Sequence, residues 1–315
     1  MGKAPDNQVL HGVYMVLLTP YDSDGNQDSK GLEKIVDFYI SSGIDGITAL
    51  GEVSEVDKLT ESEREENIKH VINKVDGRVP VVIGASRQST RQAVEAAQWA
   101  EEKGATAIMV APPKNLKMTS VEMLHYFKEV GKNVSLPLII QDEPETGHPY
   151  MPVDLILRIS KEVPNAKYVK LEDQPSPLKM EHLCEFPGMP HIFSASHGRD
   201  LFWALERGVV GVMTSSPLPE FLVGIWNSYK HGEIEKAREL FYINLPLMHY
   251  FPEMILKVKK EVLKQRGLIE YTKVRENETD LSRKSIADLV DMLNWTMEKS
   301  RQIQTEGFER RNPGN

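Results

Sequence analysis

Apolar and polar positions alternate between two textures along this chain. Eight short, continuously apolar, β-rich runs occupy residues 13–18, 46–50, 79–85, 107–111, 136–141, 167–171, 191–195 and 209–214. Between them lie stretches with apolar residues at helical spacing. Thr60 and Glu63 have the spacing of a capping box, and Ile68, Val71, Ile72 and Val75 follow on one helix face. Thr119 and Glu122 repeat the signal ahead of Met123, Phe127 and Val130. A repeat of roughly 20 to 35 residues is a strand plus a helix. Strands alternating with helices imply parallel pairing, and runs without polar alternation imply burial on both faces. Eight such units predict an α/β fold, a (β/α)8 barrel. No Gly-x-Gly-x-x-Gly turn follows the first run, so the main cue for a dinucleotide fold is missing.

After the eighth run comes a helix over 219–229. Three helical segments follow with no strand between them, at 233–245, 254–266 and 281–298. The expected organisation is a barrel over 1–230, a C-terminal helical extension over 231–301 packed on it, and a polar tail over 302–315.

Composition narrows the function. The chain has 315 residues, enough for one such barrel, and a net charge of -8. That charge speaks against a nucleic-acid surface, which must neutralise phosphates. No run is long and apolar enough to span a membrane. The single cysteine, Cys184, excludes an internal disulfide framework and suits a reducing, cytoplasmic setting. It falls in a helical pattern, so packing is its expected role.

In a barrel the chemistry sits at the C-terminal strand ends. Lys170, between Val169 and Leu171, stands alone among the strand-end residues as a lysine within a strand. Desolvation lowers a lysine's pKa and frees the amine for nucleophilic attack. Lys114 and Lys117 read as solvated loop residues. Tyr168, Lys170 and Glu172 share a strand face, with Tyr168 expected to pack. The acids Glu52, Glu55, Asp142, Glu143, Glu172 and Asp173 are potential oxygen ligands. His197 is the lone strand-end histidine, and no metal-binding spacing is present, so neither metal nor cofactor is expected.

With these residues in place the chain resembles the dihydrodipicolinate synthase/N-acetylneuraminate lyase family over 12–294. The landmarks are Leu18-Thr19-Pro20-Tyr21, the turn from Gly51 to Glu55 with Leu59-Thr60 and Glu63, Pro112-Pro113, Asp142 with Pro144, Val169 to Asp173, Phe193-Ser194, Gly208, and Gly211-Val212-Met213. Their order and spacing carry the resemblance. It implies a barrel with a C-terminal bundle, assembled as a homo-oligomer, dimer or tetramer. It implies a lyase or aldolase in which Lys170 forms an imine with pyruvate or another small 2-oxo acid, such as a 2-keto-3-deoxy sugar acid. Gly51, Glu52 and Val53 fall on the clamp for the substrate carboxylate, and Thr19 and Met213 on the pocket.

The departures are as informative. Glu52, Val53 and Ser54 replace the middle of the family's Gly-Thr-Thr-Gly-Glu turn, and the tyrosine on strand five falls on Gln141. Glutamine cannot act as a general acid or base near neutral pH. The second relay tyrosine falls near Asn115, and the arginine that synthases use has no counterpart in Glu145-Thr146-Gly147. This speaks against the lysine-pathway synthase and for a branch with Gln-Asp-x-Pro on strand five. Glu52, Asp142 or Glu172 is expected to take over proton transfer beside Lys170. A dehydratase of the same type, a barrel that binds a 2-oxo acid without turnover, and a metal-dependent barrel are the other readings.

Overall fold

All eight apolar runs lie on strands of one closed parallel sheet in the computed structural model, which describes residues 9–253, 255–275 and 280–309. β1 (Gly12–Val16), β2 (Gly46–Ala49), β3 (Val81–Gly84), β4 (Ala107–Val110), β5 (Leu138–Asp142), β6 (Ala166–Leu171), β7 (His191–Ser194) and β8 (Gly211–Thr214) pair in chain order, and β8 closes on β1. One helix follows each strand: α1 (Ser29–Ser41), α2 (Glu61–Val75), α3 (Thr90–Glu102), α4 (Ser120–Lys132), α5 (Val153–Glu162), α6 (Ser176–Cys184), α7 (Leu201–Glu206) and α8 (Pro219–Lys230). The two capping boxes are formed as read: Thr60 and Glu63 close the start of α2, Thr119 and Glu122 that of α4.

Strand alternation sorts the core into two shells. Tyr14, Val82, Ile139, Tyr168, Phe193 and Met213 fill the inside of the barrel. Their neighbours Val13, Ile83, Ile140, Val169, Ile192 and Val212 face the helix layer. A side chain on Gly46 would meet the Tyr14 ring at 2.1 Å, so a glycine is required where that ring crosses the lumen. Tyr168 packs as expected: its ring lies 6.0 Å from that of Phe193, and its hydroxyl accepts from the Leu10 N–H at 2.9 Å.

Beyond α8 the chain forms α9 (Ile234–Glu253), α10 (Ile255–Gln265) and α11 (Arg283–Glu309). α9 is longer than its apolar pattern suggested, and α11 continues through most of the stretch read as a tail. Residues 310–315 lie outside the described residues. Ala237, Leu240 and Phe241 of α9 belong to the same buried cluster as the barrel's helix layer.

Candidate functional site

Lys170 is the last lumen-facing residue of β6. It pairs in register with Gln141 on β5 and Phe193 on β7. Its side chain is 6% exposed and its Nζ lies 2.6 Å from Glu172 Oε1. Burial alone would push the amine's pKa down, as the sequence reading expects. The charges of Glu172 and Glu143 outweigh burial, and the net shift is upward. The pairing favours the ammonium form of Lys170, which must lose its proton before it can attack.

Gln141, standing where the family has its tyrosine, holds two carboxylates together. Its amide nitrogen donates to Glu143 Oε2 at 2.6 Å and to Glu172 Oε1 at 3.0 Å. Glu143 has its pKa raised well above the ordinary glutamate value, by burial first and then by the charge of Glu172. Two neighbouring carboxyls thus share one amide beside one lysine.

The turn after β2 caps this corner of the barrel. Glu52–Ser54 form one turn of 3-10 helix, and Glu55 then takes a left-handed backbone at φ 56°. The N–H groups of Glu52 and Val53 open that turn and have no carbonyl partner within it. Thr19, expected at the substrate, instead donates its hydroxyl to the Ser54 carbonyl at 2.7 Å. Ser54 returns its own hydroxyl to the Leu17 carbonyl at 2.6 Å. This clasp explains the serine: its hydroxyl pins the turn to the end of β1. Glu55 forms a fully buried pair with Lys260 of α10 at 2.8 Å, tying the turn to the C-terminal helices.

At the mouth, Glu52 pairs closely with Lys114, and its other oxygen lies 3.4 Å from His148 Nε2. Burial raises the Glu52 pKa, but His148 and Lys114 more than reverse that, leaving it below the usual range. Lys114 is therefore not the solvated lysine that its loop suggested; its side chain is 17% exposed and also faces Asp57. His148 escaped the sequence reading because its loop carries no metal or nucleophile spacing. Glu52, Glu143 and His148 bring ligand atoms within 4.8 Å of one another, the one such group among the described residues. The Lys114 ammonium already neutralises Glu52 there. A cleft of about 460 Å³ opens alongside, lined by Glu52, Lys114, His148, Arg64 and Arg87 among others.

Two other residues lie elsewhere than expected. Asp142 is one residue past Gln141 and so points out of the lumen, between β5 and the helices. There it pairs with Lys179 of α6 at 2.6 Å. Burial pushes its carboxyl up to about 6 although Lys179 pulls it down. Cys184, expected to pack, is exposed at the end of α6. Met213 does line the lumen, and Gly51 carries the chain from β2 into the turn. His197, with a left-handed φ of 60°, is held well below the ordinary histidine pKa by burial and by Lys259.

The geometry has clear relatives. The chain is 28% identical over 234 residues to 4-hydroxy-tetrahydrodipicolinate synthase of Thermoanaerobacter sp. (strain X514), covering 74% of this chain and 78% of that protein. It is 24% identical over 285 residues to L-2-keto-3-deoxyarabonate dehydratase of Azospirillum brasilense, covering 89% and 92%. The crystal structure of dihydrodipicolinate synthase from Rhodopseudomonas palustris superimposes with a TM-score of 0.84 at 28% identity, over 90% of this chain and 97% of that one. The model of the dihydrodipicolinate synthetase family matches residues 9–295. Strand order, lumen lysine and relatives agree: the chain belongs to the dihydrodipicolinate synthetase family and is a lyase built on a (β/α)8 barrel.

Proposed function

We propose that the protein is a class I lyase in which Lys170 forms an imine with a small 2-oxo acid, pyruvate or a longer 3-deoxy sugar acid. The observation that carries this reading is the buried Lys170 inside the lumen, at the catalytic end of the barrel, in contact with a carboxylate that can take its proton. Glu172 accepts that proton, the amine attacks the 2-oxo carbon, and the carbinolamine loses water. The imine nitrogen then draws electrons from the adjacent carbon, so a bond one carbon further out can break. The substrate carboxylate fits the N–H groups of Glu52 and Val53, with Met213 as the wall behind it. The sequence match to the dehydratase from Azospirillum brasilense, which runs over 89% of this chain against 74% for the Thermoanaerobacter synthase, supports a sugar-acid substrate.

The test is borohydride trapping with pyruvate, read by peptide mass spectrometry. An adduct confined to Lys170, absent in Lys170→Ala, is the expected result. No adduct with pyruvate or with longer 2-oxo acids would leave the protein a binding barrel. Exposed Leu178, Phe186, Trp203 and Tyr242 on and beside α6, α7 and α9 support assembly into a homo-oligomer, which light scattering measures. An exposed free thiol at Cys184 fits a reducing, cytoplasmic setting.

A further inference from the structure

We propose that the mouth of the barrel binds a zinc ion between His148, Glu52 and Glu143, and that the bound ion bars the way to Lys170. The barrier rests on the imine reading above; the metal site does not. Each of the three residues turns one ligand atom toward the others, and these atoms lie within 4.8 Å of one another. His148 is only 6% exposed. Its Nδ1 lies 2.5 Å from the Pro112 carbonyl oxygen, an atom that can only accept, so Nδ1 carries the ring proton. Nε2 then presents its lone pair to the group, with Glu52 Oε1 3.4 Å away. Two electron-pair donors that face each other need a cation between them, a proton or a metal ion. Zinc bonds nitrogen and oxygen at about 2.0 to 2.2 Å, which sets two ligands of one tetrahedral ion roughly 3.3 to 3.6 Å apart. His148 and Glu52 already have that spacing.

The groups behind these three residues do what the outer shell of a metal site does. A ligating histidine ordinarily donates its other ring N–H to a carbonyl or a carboxylate, which fixes ring and tautomer. The Pro112 carbonyl fills that role for His148. Glu143 Oε2 accepts from the Gln141 amide at 2.6 Å, which holds the carboxyl and leaves its other oxygen for the ion. Lys114 is the competitor. Its ammonium pairs with Glu52, and Asp57 Oδ2 stands 3.6 Å away as a second carboxylate to which it can turn. One imidazole with two carboxylates suits zinc and its transition-metal neighbours, whereas magnesium takes an octahedron of oxygens. The ligands come from the turn after β2 and the loop after β5, so no spacing in the sequence announces them.

The position gives the ion a consequence. Glu52 and His148 line the cleft at the mouth. Glu143 reaches inward through the Gln141 amide to Glu172, which contacts Lys170. An ion bound to all three stands between the cleft and the lysine. Glu52 also opens the turn whose N–H groups fit the substrate carboxylate. A 2-oxo acid arriving from the cleft therefore meets the ion before it meets Lys170. Zinc in this place is an inhibitor and not a cofactor, and its removal reopens the lumen.

Calorimetric titration with zinc chloride tests the site, on full-length protein stripped of metal and carrying Cys184→Ser so that the exposed thiol takes no ion. The expected stoichiometry is one zinc per chain. His148→Gln should weaken binding by about 10-fold or more, the least that even an outer-shell partner costs. Lys114→Met should strengthen it by about 5-fold or more, because a competing charge leaves Glu52. A role for these residues in folding alone would not tighten binding. Excess magnesium should leave the zinc isotherm unchanged. Melting curves without zinc, close to that of the parent protein, show that the variants are folded. At a zinc concentration that saturates the parent but not His148→Gln, borohydride trapping of pyruvate at Lys170 should be lost in the parent and persist in the variant. Binding that is not stoichiometric, that His148→Gln or Lys114→Met leaves unchanged, or that magnesium displaces is adventitious and overturns the site. Stoichiometric binding with trapping undiminished overturns the barrier. Failure of zinc-free protein to trap pyruvate or any longer 2-oxo acid sinks the imine reading, and the titration then decides the site by itself.

Discussion

Lys170 and Lys179 are both buried, and each faces carboxylates, yet they do different work. Lys170 points into the lumen with Glu172 and, through Gln141, Glu143. Lys179 reaches from α6 to Asp142, to Asp173 at 2.8 Å and to the Met151 carbonyl at 2.6 Å. Its neighbours are frame, not chemistry. Replacing Lys179 by methionine strands Asp142 in an apolar layer. Breaking a buried pair from one side costs about 3 to 5 kcal/mol. Urea unfolding of Lys179→Met should show a loss of that size, while the protein that remains folded still traps pyruvate at Lys170. Asp142 and Gln141 are adjacent in sequence, and the one-residue alternation of a strand puts them on opposite faces. Which of two adjacent polar residues at a strand end reaches the lumen depends on strand register, and single-residue patterns do not specify it.

At the scale of elements, the C-terminal helices act on the barrel through a few charges. Arg275, in the segment after α10, binds the Glu63 carboxylate at the start of α2 and stacks 4.6 Å over the Tyr21 ring. Glu63 is held down to about 2, by Arg275 first and then by the Thr60 cap, with burial opposing. An unfolded glutamate takes up its proton near about 4.3. A folded pKa below the unfolded one means stability present above about pH 4.3 and lost as pH falls toward 2. Both side chains keep some solvent, so the contribution is about 1 kcal/mol. Urea midpoints taken at pH 6 and pH 3 should differ less in Glu63→Gln than in wild type, and an unchanged difference would assign the acid sensitivity to other carboxylates. The clasp between Thr19 and Ser54 and the buried Glu55–Lys260 pair belong to the same scale. They hold the turn whose first N–H groups face the substrate carboxylate in the proposed reaction.

For the whole molecule, the barrel and the helices after α8 share one core, since α9 contributes Ala237, Leu240 and Phe241 to the cluster around the barrel. A chain ending at residue 230 should therefore not fold alone: it exposes that apolar layer and leaves Glu55 without Lys260. Circular dichroism and a melting curve of the truncated chain check this, and a cooperative transition would make the helices a separate unit. Much of the architecture was legible in the order of residues. Eight apolar runs of strand length, spaced by capped helical patterns, leave a closed parallel barrel as the way to bury both faces of every strand. The lysine of the site was legible too, because a lysine inside an apolar run is costly to bury without a purpose or a partner. The state and company of that lysine were not. Glu143 and Glu172 follow neighbouring strands, and only the fold brings both to Gln141 and Glu172 to Lys170. Lys114 and His148 come from loops without a motif and meet Glu52 only when the strand ends converge. Sequence patterning records which residues avoid water, and so determined the fold. Charge states depend on distances between residues far apart in the chain, and so the tertiary structure alone decided them.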